Sequence, residues 1–385
     1  MTPVDLAWIA GAFALASPSL VAMGRALVGR PPMRPAIHAG GSRVVVVRPC
    51  AGREVHLERT LASVPRGELF EVVFCVAAED DGAMPALQTA RARLADRGVA
   101  SRVCVTGARG PNRKVQQIAA ALRDVDPDPA CVVVVADSDV DLEGHPLDEL
   151  VASVSDDARI GAVWAPPIEA AAESGLGDAA SRAVLGASLH AFPLLSKIDP
   201  EGLVGKLFAM RLATIERIGG MASLEEHLGE DMEIARRLRE RGLEVVRASS
   251  PARSLATGRS LEATVLRFAR WLSVIRAQRP GLLITYPLFF FGSIPFAVAA
   301  LALGSDGGGL AALVLIVTRG LVALVADRLT DGRRAAARLV RDIVVADLVI
   351  AAAWARALAT RTFAWRGQAL VIGPGGKLVQ RGAEA

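Results

Sequence analysis

From Leu6 to Gly24 the chain carries no charged residue. At 1.5 Å per residue a helix of that length is roughly 28 Å long, close to the hydrocarbon thickness of a bilayer. It reads as a membrane span. Asp5 precedes the run and Arg25, Arg30 and Arg34 follow it, the reverse of a secretory signal peptide, so the expectation is a retained anchor with the following domain on the cytoplasmic side.

A second uncharged stretch runs from Gly281 through Leu303. Gly308–Ala326 follows, broken only by Arg319, and Asp342–Leu358 is a weaker third. The link Asp327–Arg341 holds five arginines, whereas the link near Gly304–Gly307 holds only Asp306, which again places the large middle region in the cytoplasm. The basic tail (Arg361, Arg366, Lys377, Arg381) fits this topology poorly unless the last segment is tilted or re-entrant. Arg319 and Asp347 lie inside apolar segments, where charge is expensive; they either face each other or a polar cavity, or snorkel from an interfacial helix.

These runs explain why 52% of the 385 residues are hydrophobic while 22% are charged, which argues against wholesale disorder. Only Lys114, Lys197, Lys206 and Lys377 are lysines among 44 basic residues, so arginine supplies nearly all positive charge of a chain with net charge +4. Cys50, Cys75, Cys104 and Cys131 are widely spaced, three of them in apolar strand-like runs, and read as small buried hydrophobes, not as disulfide or zinc ligands.

Between the spans, Val44–Val47, Glu71–Ala77, Arg102–Val105, Cys131–Ala136 and Ile160–Trp164 read as strands separated by helix-like segments. Valine runs without polar alternation suit a sheet covered on both faces. The fold class is therefore α/β with a mostly parallel sheet. The expected boundaries are an anchor over 1–30, a cytoplasmic domain over 40–275 with interfacial helices, about three C-terminal transmembrane helices over 281–360 and a tail over 361–385.

In such sheets ligands gather at the carboxyl ends of strands. Two of these ends are acidic: Glu79, Asp80 and Asp81 after one run, Asp137-Ser138-Asp139 after another. Clustered carboxylates repel one another unless a cation or hydrogen-bond donors compensate, and hard divalent ions prefer such oxygens. The bland alternative is two solvated turns. No Gly-Lys-Ser/Thr loop and no G-x-G-x-x-G after a strand is present, so nucleotide hydrolysis and hydride transfer lose their main support.

The ordered set of motifs resembles membrane-bound glycosyltransferases of the ceramide glucosyltransferase type, family 21, which have a GT-A nucleotide-sugar fold. The resemblance spans Val44 to Tyr286. It rests on Val44–Gly52, Cys75–Asp81, Asn112-Arg113-Lys114 (the family's proline is missing) with Gln116 and Gln117, and Asp137-Ser138-Asp139. It continues through Gly205–Arg211 on the acceptor side, Gly229-Glu230-Asp231, and the (Q/R)-x-x-R-W signature Arg267–Trp271. A weak extension reaches Trp365-Arg366-Gly367.

The resemblance implies an inverting transfer in which Asp231 is the base, Arg267, Arg270 and Trp271 complete the catalytic set, and Asp80, Asp81, Lys114 and Asp137 bind the nucleotide sugar. Asp137 and Asp139 would carry Mg2+ or Mn2+. Read without the resemblance, Glu230 and Asp231 suit equally a base and two acids that open a helix and are stabilised by its dipole. Likewise Arg267 and Arg270 share one face of a segment that equally suits an interfacial helix over anionic lipid. His190, in the apolar stretch Leu185–Leu195, reads as a packing residue and stays outside the catalytic set.

The expected partners are UDP-glucose, a membrane lipid acceptor (ceramide first) and the bilayer, with no nucleic acid; the expected location is a bacterial inner membrane. The alternatives are a hopanoid or diacylglycerol glycosyltransferase, a processive polysaccharide synthase, for which three C-terminal spans are few, and a non-catalytic membrane protein.

Overall fold

A computed structural model of the full chain describes residues 1–28, 43–65, 70–126, 128–200, 202–330, 332–365 and 368–380. Arg30, Arg34, Arg366, Gly367 and Arg381, which entered the sequence reading, lie outside the described residues. The chain divides into two compact units: Arg30–Ala171, Pro200–Thr257 and Ala364–Ala385 form one, and Met1–Gly29, Ala172–Asp199 and Gly258–Phe363 the other.

The first unit is built on a seven-stranded sheet. Its strands are β1 (Val44–Pro49), β2 (Phe70–Val76), β3 (Ala100–Val105), β4 (Val132–Ala136), β5 (Ile160–Trp164), β6 (Leu207–Arg211) and β7 (Glu244–Arg247), in spatial order β3-β2-β1-β4-β6-β5-β7. Neighbours β1, β2, β3 and β4 are parallel, β6 is antiparallel to both β4 and β5, and β5 and β7 are parallel to each other. All residues of β1, β4 and β5 are buried, as expected for strands covered on both faces. The α/β class with a mostly parallel sheet is as expected.

Two strands of this sheet escaped the sequence reading. Leu207–Arg211, matched to an acceptor-side motif, is a central strand whose Leu207, Phe208, Ala209 and Met210 are buried, so only Gly205 and Lys206 of that motif reach the sheet's rim. Glu244–Arg247 is partly exposed and too short to show a period.

The second unit is helical. Pro3–Val28 and Asp306–Leu329 are long and apolar enough to cross a membrane. They meet through small side chains, Ala12 and Ala16 against Ala311 and Ala312, and Asp5 accepts the Gly307 amide at 3.0 Å. A Cβ on Gly307 would fall 2.3 Å from Asp5 Cβ, so glycine is what permits the approach. Their outer faces expose Phe13, Leu20, Leu313 and Ile316, as lipid-facing positions would.

The stretch expected as one span over 281–303 is instead two helices, Pro280–Phe290 and Ser293–Ala302, bent by 49°. Pro287 removes a donor and its carbonyl accepts the Gly292 amide at 2.6 Å, which turns the chain there. The weak third segment lies in the Ala336–Ala359 helix, which is long enough but, with Arg338, Arg341, Asp342 and Asp347, is not apolar enough to count as a span. Arg319 and Asp347 do face each other, as a buried ion pair.

Candidate active site

Because β1, β2 and β4 are parallel neighbours, their carboxyl ends share one rim. The turn after β4 is Asp137-Ser138-Asp139, closed by the Val140 amide donating to the Asp137 carbonyl at 3.1 Å. Arg48, on β1, is fully buried under this turn and donates to the carbonyls of Thr60 (2.6 Å), Asp137 (3.0 Å) and Val140 (2.6 Å). Its backbone-directed bonds fix the turn while its charge sits beneath the carboxylates. Burial pulls its pKa down to about 10, opposed by nearby acidic groups.

Above the turn four carboxylates meet two ammonium groups. Lys114 Nζ lies 2.9 Å from Asp137 Oδ1 and 3.3 Å from Glu230 Oε1, and donates to the Gly205 carbonyl at 2.7 Å. The Gly205 amide donates to Asp231 Oδ2 at 3.0 Å. Lys206 Nζ bonds Asp139 Oδ2 and lies 3.8 Å from Asp137 Oδ2, while Ser254 Oγ donates to Asp139 Oδ2 at 2.7 Å. Asn112 caps its helix by accepting the Val115 amide at 3.2 Å and turns its Nδ2 to Glu230 Oε2, also at 3.2 Å.

These placements set the proton affinities. Burial works against the charge of Lys114, but Asp137 and Glu230 outweigh it and hold the ammonium above its ordinary value. Asp231 is crowded by protein atoms on most sides; burial first, and the charge of Glu230 second, push its pKa from 3.8 up to about 6, against the opposing pull of Lys114. The helix-terminus reading of Asp231 accounts for only one of its oxygens, since Oδ1 accepts the Met232 amide at 2.8 Å while Oδ2 is aimed at Gly205 in a separate segment.

For the expected Mg2+ or Mn2+ the donor set fits in kind, hard carboxylate oxygens, and in sign, four carboxylates against two ammonium groups. Among the described residues, however, no group of three or more His, Cys, Asp or Glu side chains converges as a metal site. Asp137 and Asp139 are the pair available, and both are already engaged by lysine.

Asp81 Oδ1 accepts the amides of Gly52 (2.7 Å) and Ala83 (2.9 Å), tying the loop after β1 to the loop after β2. Gly52 sits at φ 70°, where a side chain would be strained. Asp80 beside it is exposed to solvent. Gln117 donates to the Cys50 carbonyl at 3.0 Å and Gln116 Oε1 accepts the Gly110 amide at 2.8 Å, so both glutamines of the Asn112 motif hold loops in place.

Arg267, Arg270 and Trp271 belong to the helical unit, on the Leu261–Gln278 helix. Arg267 donates to Ser181 Oγ at 2.9 Å and its guanidinium lies 4.8 Å from the Trp271 ring centroid, a cation–π contact between residues four apart. Trp271 packs edge-on against Phe268 and near Phe192. The helix is entered through Asp178, whose carboxylate accepts the Gly258 amide at 2.9 Å and the Arg259 amide at 3.2 Å. His190 is buried against Tyr286 and Phe290 and bonds the Tyr286 hydroxyl, the packing role expected of it.

Sequence reasoning missed Arg48, Ser254 and Asp178, and did not separate Lys206 from its motif. A charged residue inside a run of buried valines was the available signal for Arg48. The partners of Asp139 are 67 and 115 residues away, beyond any local pattern.

A comparison of the sequence with curated proteins gives no match. Among solved structures, the chain is similar to a mannosyltransferase from Pyrobaculum calidifontis in complex with GDP-Man and Mn2+, at 17% identity over 92% of this chain and 98% of that one, with a TM-score of 0.49. It is also similar to glucosyl-3-phosphoglycerate synthase from Mycobacterium tuberculosis in complex with Mg2+ and UDP, at 17% identity over 63% and 84% of the two chains, with a TM-score of 0.37. Likenesses this distant say nothing about substrate. The Glycosyl transferase family 21 profile, by contrast, matches residues 8–378, nearly the whole chain, and the chain belongs to that family of glycosyltransferases.

Proposed function

We propose that the chain is an integral membrane glucosyltransferase that moves glucose from UDP-glucose to the hydroxyl of ceramide with inversion, giving a β-glucosyl lipid, from a sheet-bearing unit on the cytoplasmic face of a bacterial inner membrane. The observation that carries the reading is Asp231: a carboxylate with a pKa of about 6, fixed by the Gly205 amide beside the Lys114–Asp137 pair. A general base works best when its pKa lies near the working pH.

In the reaction Asp231 takes the proton of the acceptor hydroxyl, the oxygen bonds to the anomeric carbon, and the carbon–oxygen bond to the diphosphate breaks, releasing the nucleoside diphosphate. Lys114 and Lys206 supply positive charge where the departing diphosphate oxygens accumulate negative charge. When bound, Mg2+ or Mn2+ at Asp137 and Asp139 would neutralise further charge on the same diphosphate. Asp81 and the loops it ties are assigned to the nucleoside side, with Asp80 presented to solvent there. For Arg267, Arg270 and Trp271 the catalytic assignment rests on the (Q/R)-x-x-R-W signature.

A lipid acceptor is supported by the apolar helices that flank the sheet-bearing unit in sequence. Purified protein given UDP-glucose, UDP-galactose or GDP-mannose, with ceramide, diacylglycerol or a hopanoid alcohol in mixed micelles, tests the reading by product mass and anomeric configuration. β-Glucosylceramide is expected; a different glycolipid corrects donor or acceptor, and a polymer or no transfer with any pair overturns it.

A further inference from the structure

The chain has four lysines. Two of them, Lys114 and Lys206, converge on the carboxylates of Asp137 and Asp139, in a protein whose other positive charge is almost all arginine. Arginine presents a wide planar fork, whereas lysine is a compact point charge with three donors. Lys206 Nζ stands between the two carboxylates, bonded to Asp139 Oδ2 and 3.8 Å from Asp137 Oδ2, which is where a cation shared by the pair would stand. The carboxylates cannot easily turn away: Ser254 Oγ holds Asp139 at 2.7 Å, and the turn that carries both is pinned by buried Arg48.

We propose that Lys206 is the resident counter-cation of the Asp137–Asp139 pair and sets the order of cation binding, so that a divalent ion binds these carboxylates weakly in the free protein and enters together with the nucleoside diphosphate. The diphosphate part of this inference rests on the nucleotide-sugar reading above.

The physical reason is desolvation. The side chains of Lys206 and Asp139 are 17% and 9% exposed, so an ion that takes Asp139 leaves an ammonium unpaired in a mostly buried place. A diphosphate removes that cost, because its oxygens accept charge-assisted bonds from the displaced ammonium. The nucleotide likewise needs the ion: among the described residues Asp137, Asp139, Glu230 and Asp231 still outnumber Lys114, Lys206 and the Arg48 buried beneath them, so the rim disfavours a bare diphosphate.

The test is direct Mn2+ binding to the full-length protein in detergent, read by electron paramagnetic resonance of free Mn2+, with no nucleotide, with UDP and with GDP. Wild type is expected to bind Mn2+ at least roughly tenfold more tightly with one of the nucleotides than without, and Lys206→Met to bind Mn2+ without nucleotide at least roughly tenfold more tightly than wild type. Lys206→Arg, which keeps the charge but not the compact shape, should bind Mn2+ without nucleotide more weakly than Lys206→Met, and tighter binding by Lys206→Arg than by Lys206→Met would overturn the proposal. Mn2+ binding by wild type that is equally tight with and without both nucleotides, or no binding even with them, overturns the proposal, and these arms need no variant to fold. Lys206→Met no tighter than wild type at unchanged melting temperature also overturns it. Sugar transfer, measured separately, decides the nucleotide-sugar reading itself.

Discussion

The amide of Gly205 donates to Asp231 Oδ2 at 3.0 Å while the carbonyl of the same residue accepts from Lys114 at 2.7 Å, so one residue without a side chain spaces the candidate base from the candidate diphosphate ligand. A Cβ there would lie 3.2 Å from Lys114 Nζ and 3.4 Å from Asp231 Cβ. The lysine can shift by a few tenths of an ångström, but only by leaving its place. Gly205→Ala is expected to keep the fold, with a melting temperature within a few degrees, and to lower kcat about tenfold by misplacing both groups.

The pH dependence follows from what surrounds Asp231. Its carboxyl must be ionised to act as a base, so kcat/KM should fall with unit slope below about pH 6. Lys114 favours the ionised form and Glu230 disfavours it. Lys114→Met should therefore move the acid limb to higher pH and Glu230→Gln to lower pH; shifts in the same direction would contradict the assignment. Stability carries the opposite sign. A carboxyl whose pKa rises on folding contributes stability that is fully present below its unfolded value of 3.8 and lost as pH rises through about 6. Between pH 4 and pH 8 wild type should lose up to roughly 3 kcal/mol relative to Asp231→Asn, measurable by denaturant titration in detergent.

Arg48 is a different kind of lysine-free cation, buried and bonded to carbonyls. Arg48→Met has nearly the right length but removes the buried donor shared by the carbonyls of Asp137 and Val140, and leaves the Thr60 carbonyl only its bonds from Ser63. A loss of roughly 2–4 kcal/mol in unfolding free energy is expected, together with weaker nucleotide binding, since the Asp137–Val140 turn loses its anchor. Isothermal titration with UDP alongside denaturation checks both.

The buried Arg319–Asp347 pair joins the Asp306–Leu329 and Ala336–Ala359 helices. Removing one partner leaves a buried charge and should cost roughly 3–5 kcal/mol, whereas removing both should cost far less. Arg319→Met is thus expected to inactivate at a distinctly lower temperature than wild type, and Arg319→Met/Asp347→Leu to recover most of the difference in detergent half-life measurements.

Much of this was legible in the sequence because the informative features are local. Valine runs gave β1 and β4 almost to the residue, and the position of Asp137-Ser138-Asp139 after β4 follows from strand ends being where loops turn outward. For Arg319 and Asp347 the sequence left mutual pairing open beside a polar cavity or an interfacial helix, since an unpaired charge among apolar helices is costly, and the structure shows the pair. What was not legible depends on long-range pairing. Leu207–Arg211 becomes a central strand only through β4 and β5, and Lys206 and Ser254 reach Asp139 across 67 and 115 residues. The bend near Gly292 was signalled by Pro287, but length and hydropathy alone could not distinguish one straight span from two bent helices.

The base assignment is tested most directly by single-turnover transfer from UDP-glucose to ceramide by wild type and Asp231→Asn, with UDP affinity measured on the same preparations. The account predicts that Asp231→Asn slows transfer by about 10²–10⁴-fold while UDP affinity stays within a few-fold, because the side chain removes a proton and does not hold the nucleotide. Transfer by Asp231→Asn at a rate close to wild type, with nucleotide binding intact, would contradict it.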